Sequence, residues 1–224
     1  ISIAAALLLV AALAGGWWWH SRSTQPPAVA NDRAMAYVMP AQVPANAEWN
    51  WLRLGLMDLI ADRLRAGGLA TAPAESVLAL LKQSGSSPPT LAGSLAVNPT
   101  VHFRDGRWQV SLVAQRGDER TLAEAEASDV LAAARAAADQ LLIRLGHRPP
   151  PASDASSALA LQELLQRTRA AILADQFGLA RSLIAQAAPE LQQSPQLALR
   201  LVQIEMGEGH YASVEQQAAI LLDR

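Results

Sequence analysis

The chain has 224 residues, with 18 basic and 20 acidic side chains and a net charge of −2. That balance excludes the broad electrostatic pull toward nucleic acid or anionic lipid that a strongly basic surface exerts. The absence of cysteine excludes a disulfide framework, a thiolate metal site and a cysteine nucleophile.

Ile1 to Trp19 carries no charged side chain. As a helix it would measure roughly 28 Å, close to the ~30 Å hydrocarbon core of a bilayer. Trp17, Trp18 and Trp19 would then sit at headgroup depth, as an aromatic belt does. The alternative is a cleaved export signal. However, Ala12-Leu13-Ala14 lies inside the apolar run and Ala28-Val29-Ala30 too far beyond it. The expectation is an uncleaved transmembrane helix over 1–19, followed by a Ser/Pro-rich linker over 20–34.

Structure is expected to begin with a short apolar strand, Ala-Met-Ala-Tyr-Val-Met, stopped by Pro40. Next, Trp49, Leu52, Leu56, Leu59, Ile60 and Leu64 recur at three- and four-residue spacing and mark one face of a helix. Arg53, Asp58, Asp62 and Arg65 fall mostly on the opposite side, with Asp62 and Arg65 placed to pair. Gly67-Gly68 supplies the stop. A second short strand at Leu69–Ala74 and a second helix from Glu75 continue the alternation typical of a helix-covered sheet.

Asp105-Gly106 is a two-residue hairpin turn. It pairs Arg104 with Arg107, Phe103 with Trp108, and Val101 with Val110, with Leu112 extending the same apolar face. Gly117-Asp118 turns the chain again into a third strand, which offers only Ala123 and Ala125 to the covered face. A helix capped by Ser128 follows, with Val130, Ala134, Ala137, Leu141 and Leu145 as its buried stripe and Gly146 as its stop.

The proline run at 149–151 marks a boundary, after which the pattern is helical. Phe177, Ala180, Ile184 and Ala187 are echoed by Tyr211, Val214, Ala218 and Leu221, each displaced by about 34 residues, the length of a tetratricopeptide (TPR) unit. The first helices of the two units are expected at Leu159–Ala174 and Pro195–Met206. The second unit departs from the TPR pattern in having Val214 where a small alanine is usual. Two such units bury little core alone, and the chain lacks an initiator methionine and ends on a helix-like run. Missing sequence at both ends is therefore expected.

The catalytic inventory is empty, and no catalytic, cofactor-binding or metal-ligating residue is expected. His20, His102, His147 and His210 read as scattered surface histidines. No Gly-x-Ser-x-Gly elbow or phosphate-cradling glycine loop is present. Asp58 and Asp62 share a helical face at acid–base spacing, but solvated helix charges are the simpler reading. Trp49 reads as core and Trp51 as its neighbour at the helix start, while Arg167-Thr168-Arg169 is too small for a nucleic-acid footprint.

The order of segments resembles the C-terminal half of membrane-anchored transcriptional regulators of the CadC/ToxR type. The helix Leu52-x-x-Gly55-Leu56-x-Asp58-x-Ile60-x-x-Arg63-Leu64 resembles that of TolB-like or FlgO-like domains, with Val38-Met39-Pro40 where Leu-Pro-Phe is usual. The resemblance implies a winged-helix DNA-binding domain upstream and a periplasmic sensory region after residue 19. The implied location is the bacterial inner membrane, crossed once. Partners would be the membrane, other proteins or a second copy, and DNA only through the upstream domain.

The expected fold class is thus an α/β (α+β) small-sheet domain over 35–147, a linker over 148–157 and an all-α TPR-like region over 158–224, behind one N-terminal transmembrane helix. The expected role is a non-enzymatic sensory or interaction region without cofactors. The alternatives are an anchored envelope scaffold, or the accessory region of a membrane-bound cyclase or kinase.

Overall fold

A computed structural model of the protein describes residues 35–84, 93–151 and 159–211. Its first strand, β1 (Ala36–Val38), is followed by a 3-10 turn at Ala47–Trp49, helix α1 (Leu52–Ala66) and helix α2 (Ala74–Ser84). Strands β2 (Leu95–Arg104), β3 (Arg107–Arg116) and β4 (Glu119–Ala127) then form a meander, and helix α3 (Val130–Arg144) closes this part. Helices α4 (Leu159–Leu173), α5 (Phe177–Ala185), α6 (Pro189–Gln192) and α7 (Pro195–Gly207) follow.

The sheet order is β1-β2-β3-β4, with β1 parallel to β2 and the remaining pairs antiparallel. The parallel pair follows from the α1–α2 crossover, since parallel neighbours cannot be joined by a hairpin. The expected second strand is reduced to one bridge, Ala36 to Thr71. The hairpin has the expected register, Arg104 opposite Arg107, Phe103 opposite Trp108 and Val101 opposite Val110. Asp105 and Gly106 take φ of 50° and 73° there, the left-handed pair that a type I′ turn requires.

Pro99 sits inside β2 without breaking it. The Val97 and Pro99 carbonyls accept from the Met39 and Gln42 amides, and the Val101 amide donates to the Gln42 carbonyl. The backbone groups of odd residues therefore point to the β1 side. The missing N–H of Pro99 falls there, beyond the end of β1, and costs no bond to β3.

One face of the sheet buries Val97, Val101, Val110, Leu112 and Ala123 against α1 and α3. From α1 come Leu52, Leu56, Met57, Ile60 and Leu64, each almost fully enclosed and worth about 1.5–3 kcal/mol. From α3 come Leu131, Ala134, Ala137, Ala138, Leu141 and Leu142. Small Ala123 and Ala134 let α3 lie close on the sheet. The N-cap of α3 is Asp129, which accepts from the Ala132 amide at 2.7 Å, and not the expected Ser128. The shift is one residue: Asp129 has the extended backbone of a cap, φ −114° and ψ 135°.

The expected fold class needs correction. The described residues from Met35 onward form one compact unit, a small mixed sheet with helices, and α4 packs directly on α1. No helix among the described residues is long and apolar enough to cross a membrane. The longest have 15 residues, or about 22 Å against a ~30 Å hydrocarbon core. Their apolar faces cover the sheet or one another. The expected membrane helix over 1–19, the linker over 20–34 and the part of the second helical unit beyond Tyr211 lie outside the described residues. The start of the 148–157 segment is anchored. Arg63 pairs with Asp139 at 2.7 Å and donates to the Pro150 and Pro151 carbonyls.

Candidate functional site

The most site-like feature lies where α4 and α5 meet the start of α1. A cleft of about 430 Å³ is walled on one side by Ala47, Asn50, Trp51 and Leu54. Its other side is made by Arg167, Ala170, Ala171, Ala174, Gln176, Leu179 and Leu183. The alanines keep the α4 wall low, so the lining is mainly apolar with few polar groups, the usual make-up of a ligand pocket.

Trp51 is held by its place at the first turn of α1, where its ring lies 3.0 Å from the position a Cβ on Gly55 would take. The guanidinium of Arg167 stacks over the Trp51 ring at 5.3 Å, and a second Arg167 nitrogen pairs with Glu163 at 2.7 Å. Trp51 and Arg167 also line a neighbouring cleft of about 260 Å³ that reaches Trp108 and Asp129. The stacked pair is a wall between two clefts. Arg167 Nε is buried with no hydrogen-bond partner among the described residues, a deficit of about 1–3 kcal/mol.

Further along α1 and α4, the helices are locked together by charge. Arg169 of α4 meets Asp58 of α1 at 3.2 Å and also bonds Glu75 of α2. Burial pushes the Asp58 carboxyl pKa up, and Arg169 offsets the push only in part. For Glu75, burial acts upward but is outweighed by the Arg169 hydrogen bond, which holds it below the ordinary carboxylate value. Gly55 completes the junction. A Cβ there would lie 3.3 Å from the Gln166 carbonyl of α4.

The residues weighed from sequence distribute as follows. Asp58 is buried, contrary to the solvated reading, because its side of α1 is covered by α4. Asp62 is exposed and pairs with Arg65 at 2.6 Å, so the two aspartates do not form an acid–base pair. Trp49 packs edge-on against Trp108 and Phe103, with ring centroids 4.9 and 5.5 Å away. Within the Arg167-Thr168-Arg169 cluster, Thr168 is fully buried and the two arginines serve separate contacts.

Among the histidines, His102 is exposed on β2, His147 is half-buried after α3, and His20 lies outside the described residues. His210 is not isolated. Its Nδ1 lies 3.1 Å from Glu205 and 3.6 Å from Glu208, in a cluster whose candidate ligand atoms fall within 4.8 Å of one another. The Glu-x-x-Glu-x-His spacing across the end of α7 was the signal for it. Both carboxylates are engaged by Arg181 of α5, whose hydrogen bond holds Glu205 below its ordinary pKa. The cluster therefore reads as an ion-pair clamp between α5 and α7.

Compared with known proteins, the chain matches no family model, no curated protein and no solved structure.

Proposed function

We propose that Met35–Arg224 is a binding module without chemistry of its own, the sensory or protein-interaction part of a transcriptional regulator of the CadC/ToxR type. The observation that carries this reading is the cleft between Trp51 and Leu183, whose two walls belong to different parts of the unit. An occupant would touch α1, α4 and α5 together and so bias their spacing, which is what a signal-reading site must do. The apolar lining between Trp51 and Leu183, with Arg167 stacked on Trp51, favours a ligand or peptide with an apolar body. Among the described residues, the nearby Glu163 and Asp58 carboxylates are engaged in pairs with Arg167 and Arg169. On the same reading the module faces the periplasm, and DNA is bound through a separate winged-helix domain.

The test is made in the producing organism with a Trp51→Ala/Leu183→Asp variant expressed at the normal level. Transcript profiling is expected to show the variant shifting the same set of transcripts as deletion of the gene. A deletion that leaves the transcript profile unchanged would overturn the regulatory reading. A deletion that shifts transcripts while the variant does not would overturn the assignment of the cleft.

A further inference from the structure

Strand β4 (Glu119–Ala127) is the terminal strand of the sheet. The turn at Gly117-Asp118 sets its hydrogen-bond phase. Arg116 and Glu119 flank a two-residue loop and form a bonded pair, so Thr121, Ala123 and Ala125 also face β3 with their N–H and C=O groups. Arg120, Leu122 and Glu124 direct theirs outward, along the edge. The Leu122 carbonyl accepts from the guanidinium of Arg144, as that phase requires. The side chains of the same three residues lie on the sheet face opposite α3, where all three are exposed. Leu122, at 44% exposure, stands beside Val113 of β3.

We propose that this edge pairs with the same edge of a second copy of the chain, antiparallel about a two-fold axis at Leu122, so that two sheets become one. The register follows from charge. Centring on Leu122 sets Leu122 opposite its own copy and Arg120 opposite Glu124 in both directions. Centring on Glu124 sets like charges opposite each other, and centring on Ala123 matches Arg120 with Glu126 but sets Leu122 against Glu124. Only the Leu122-centred register matches apolar with apolar and basic with acidic. The pairs Arg120–Glu124, Leu122–Leu122 and Glu124–Arg120 each exchange two backbone bonds, about six in all. Arg144 is exposed and must release one carbonyl to admit the partner. Until then it guards an edge that would otherwise be open to any strand.

The test uses the full chain in sedimentation velocity over a concentration series. A monomer–dimer equilibrium is expected. Arg120→Glu should weaken it about tenfold or more, because two facing pairs become repulsive. Glu124→Arg should do the same, and the double variant Arg120→Glu/Glu124→Arg should restore it, because the swap rebuilds both pairs. Arg144→Ala should tighten it. The chain has no cysteine, so Leu122→Cys provides a clean geometric probe. A two-fold bonded pair places its Cα atoms about 5.5 Å apart, within disulfide reach. Mild oxidation should therefore yield a cross-linked dimer, while His102→Cys on the same sheet face should not. Far-ultraviolet circular dichroism checks that each variant folds.

A chain that stays monomeric at every concentration would overturn the proposal. So would a dimer insensitive to both charge reversals, which would place the interface elsewhere. Slow hydrogen exchange at the Leu122 and Glu124 amides in a monomeric sample would assign the edge to another segment of the same chain, and would also overturn it.

Discussion

Where the sheet meets α1 and α3, the contact is a continuous layer of aliphatic side chains, with Leu56, Met57, Ile60, Leu112 and Leu141 all fully enclosed. Where α4 to α7 meet one another and α1, the apolar layer is thinner, centred on Ala171, Ala180, Ile184, Leu197 and Ile204. Of the buried polar residues in the described chain, Asp58, Thr168, Arg169 and Glu205 belong to this second region, and only Thr71 does not. Apolar burial is non-directional, so it stabilises the first region without dictating a single arrangement. A guanidinium shared between Asp58 and Glu75 has one good geometry, and it sets how the helical segment docks. Such a junction is stable only while every partner is present. That makes it a fitting support for a cleft whose walls, on the proposed reading, answer to an occupant.

The sharpest way to break the comparison is to weaken each region in turn. Leu56→Ala removes a fully buried side chain beneath the sheet and should cost about 2–5 kcal/mol, read as a single cooperative loss in urea unfolding. Arg169→Ala strands the Asp58 carboxyl and should cost about 3 kcal/mol. Its signature differs: hydrogen exchange should speed up across α4 to α7 while the β2–β3 amides stay protected. Uniform loss of protection would mean that the two regions do not separate energetically. Arg169→Met, which removes the charge but keeps bulk, would not rescue the junction, because Asp58 would remain unpaired.

The smallest effect expected is one of pH. A buried carboxyl whose folded pKa lies above the ordinary 3.8 binds its proton in the folded chain first. Folding therefore gains stability as pH falls toward that ordinary value, and Asp58 contributes less as pH rises through its raised pKa. Glu75 runs the other way. Its pKa is held below 4.5, so its contribution is present above that value and is lost as pH falls through the lowered one. Asp58→Asn isolates the first effect. The Tm difference between parent and variant should move by a few degrees in favour of the parent between pH 7 and pH 4. A difference that is constant with pH would mean that Asp58 is not titrating in this window.

The local elements were legible because each carries its own pattern. The hairpin register could be read from Asp105-Gly106 and the alternation around it, since a two-residue turn leaves one way to pair its strands. The spans of α1, α4 and α5 follow from helical spacing and stop signals within a few residues of one another. The cap of α3 was missed by one position because Ser128 and Asp129 are both capable, and the backbone angles chose between them. The His210 cluster was legible in principle, since Glu205, Glu208 and His210 lie on one short stretch.

What sequence alone determined, then, is the near-range content: a helix-covered meander and a following set of helices. The tertiary structure decided which residues from distant positions meet. Asp58 looked like a solvated helix charge because nothing in its own helix says that α4, more than a hundred positions later, will cover it. Trp51 and Arg167 became one stacked wall for the same reason. Periodicity reports which face of a helix is apolar. It does not report which helix will bring an arginine to the other face.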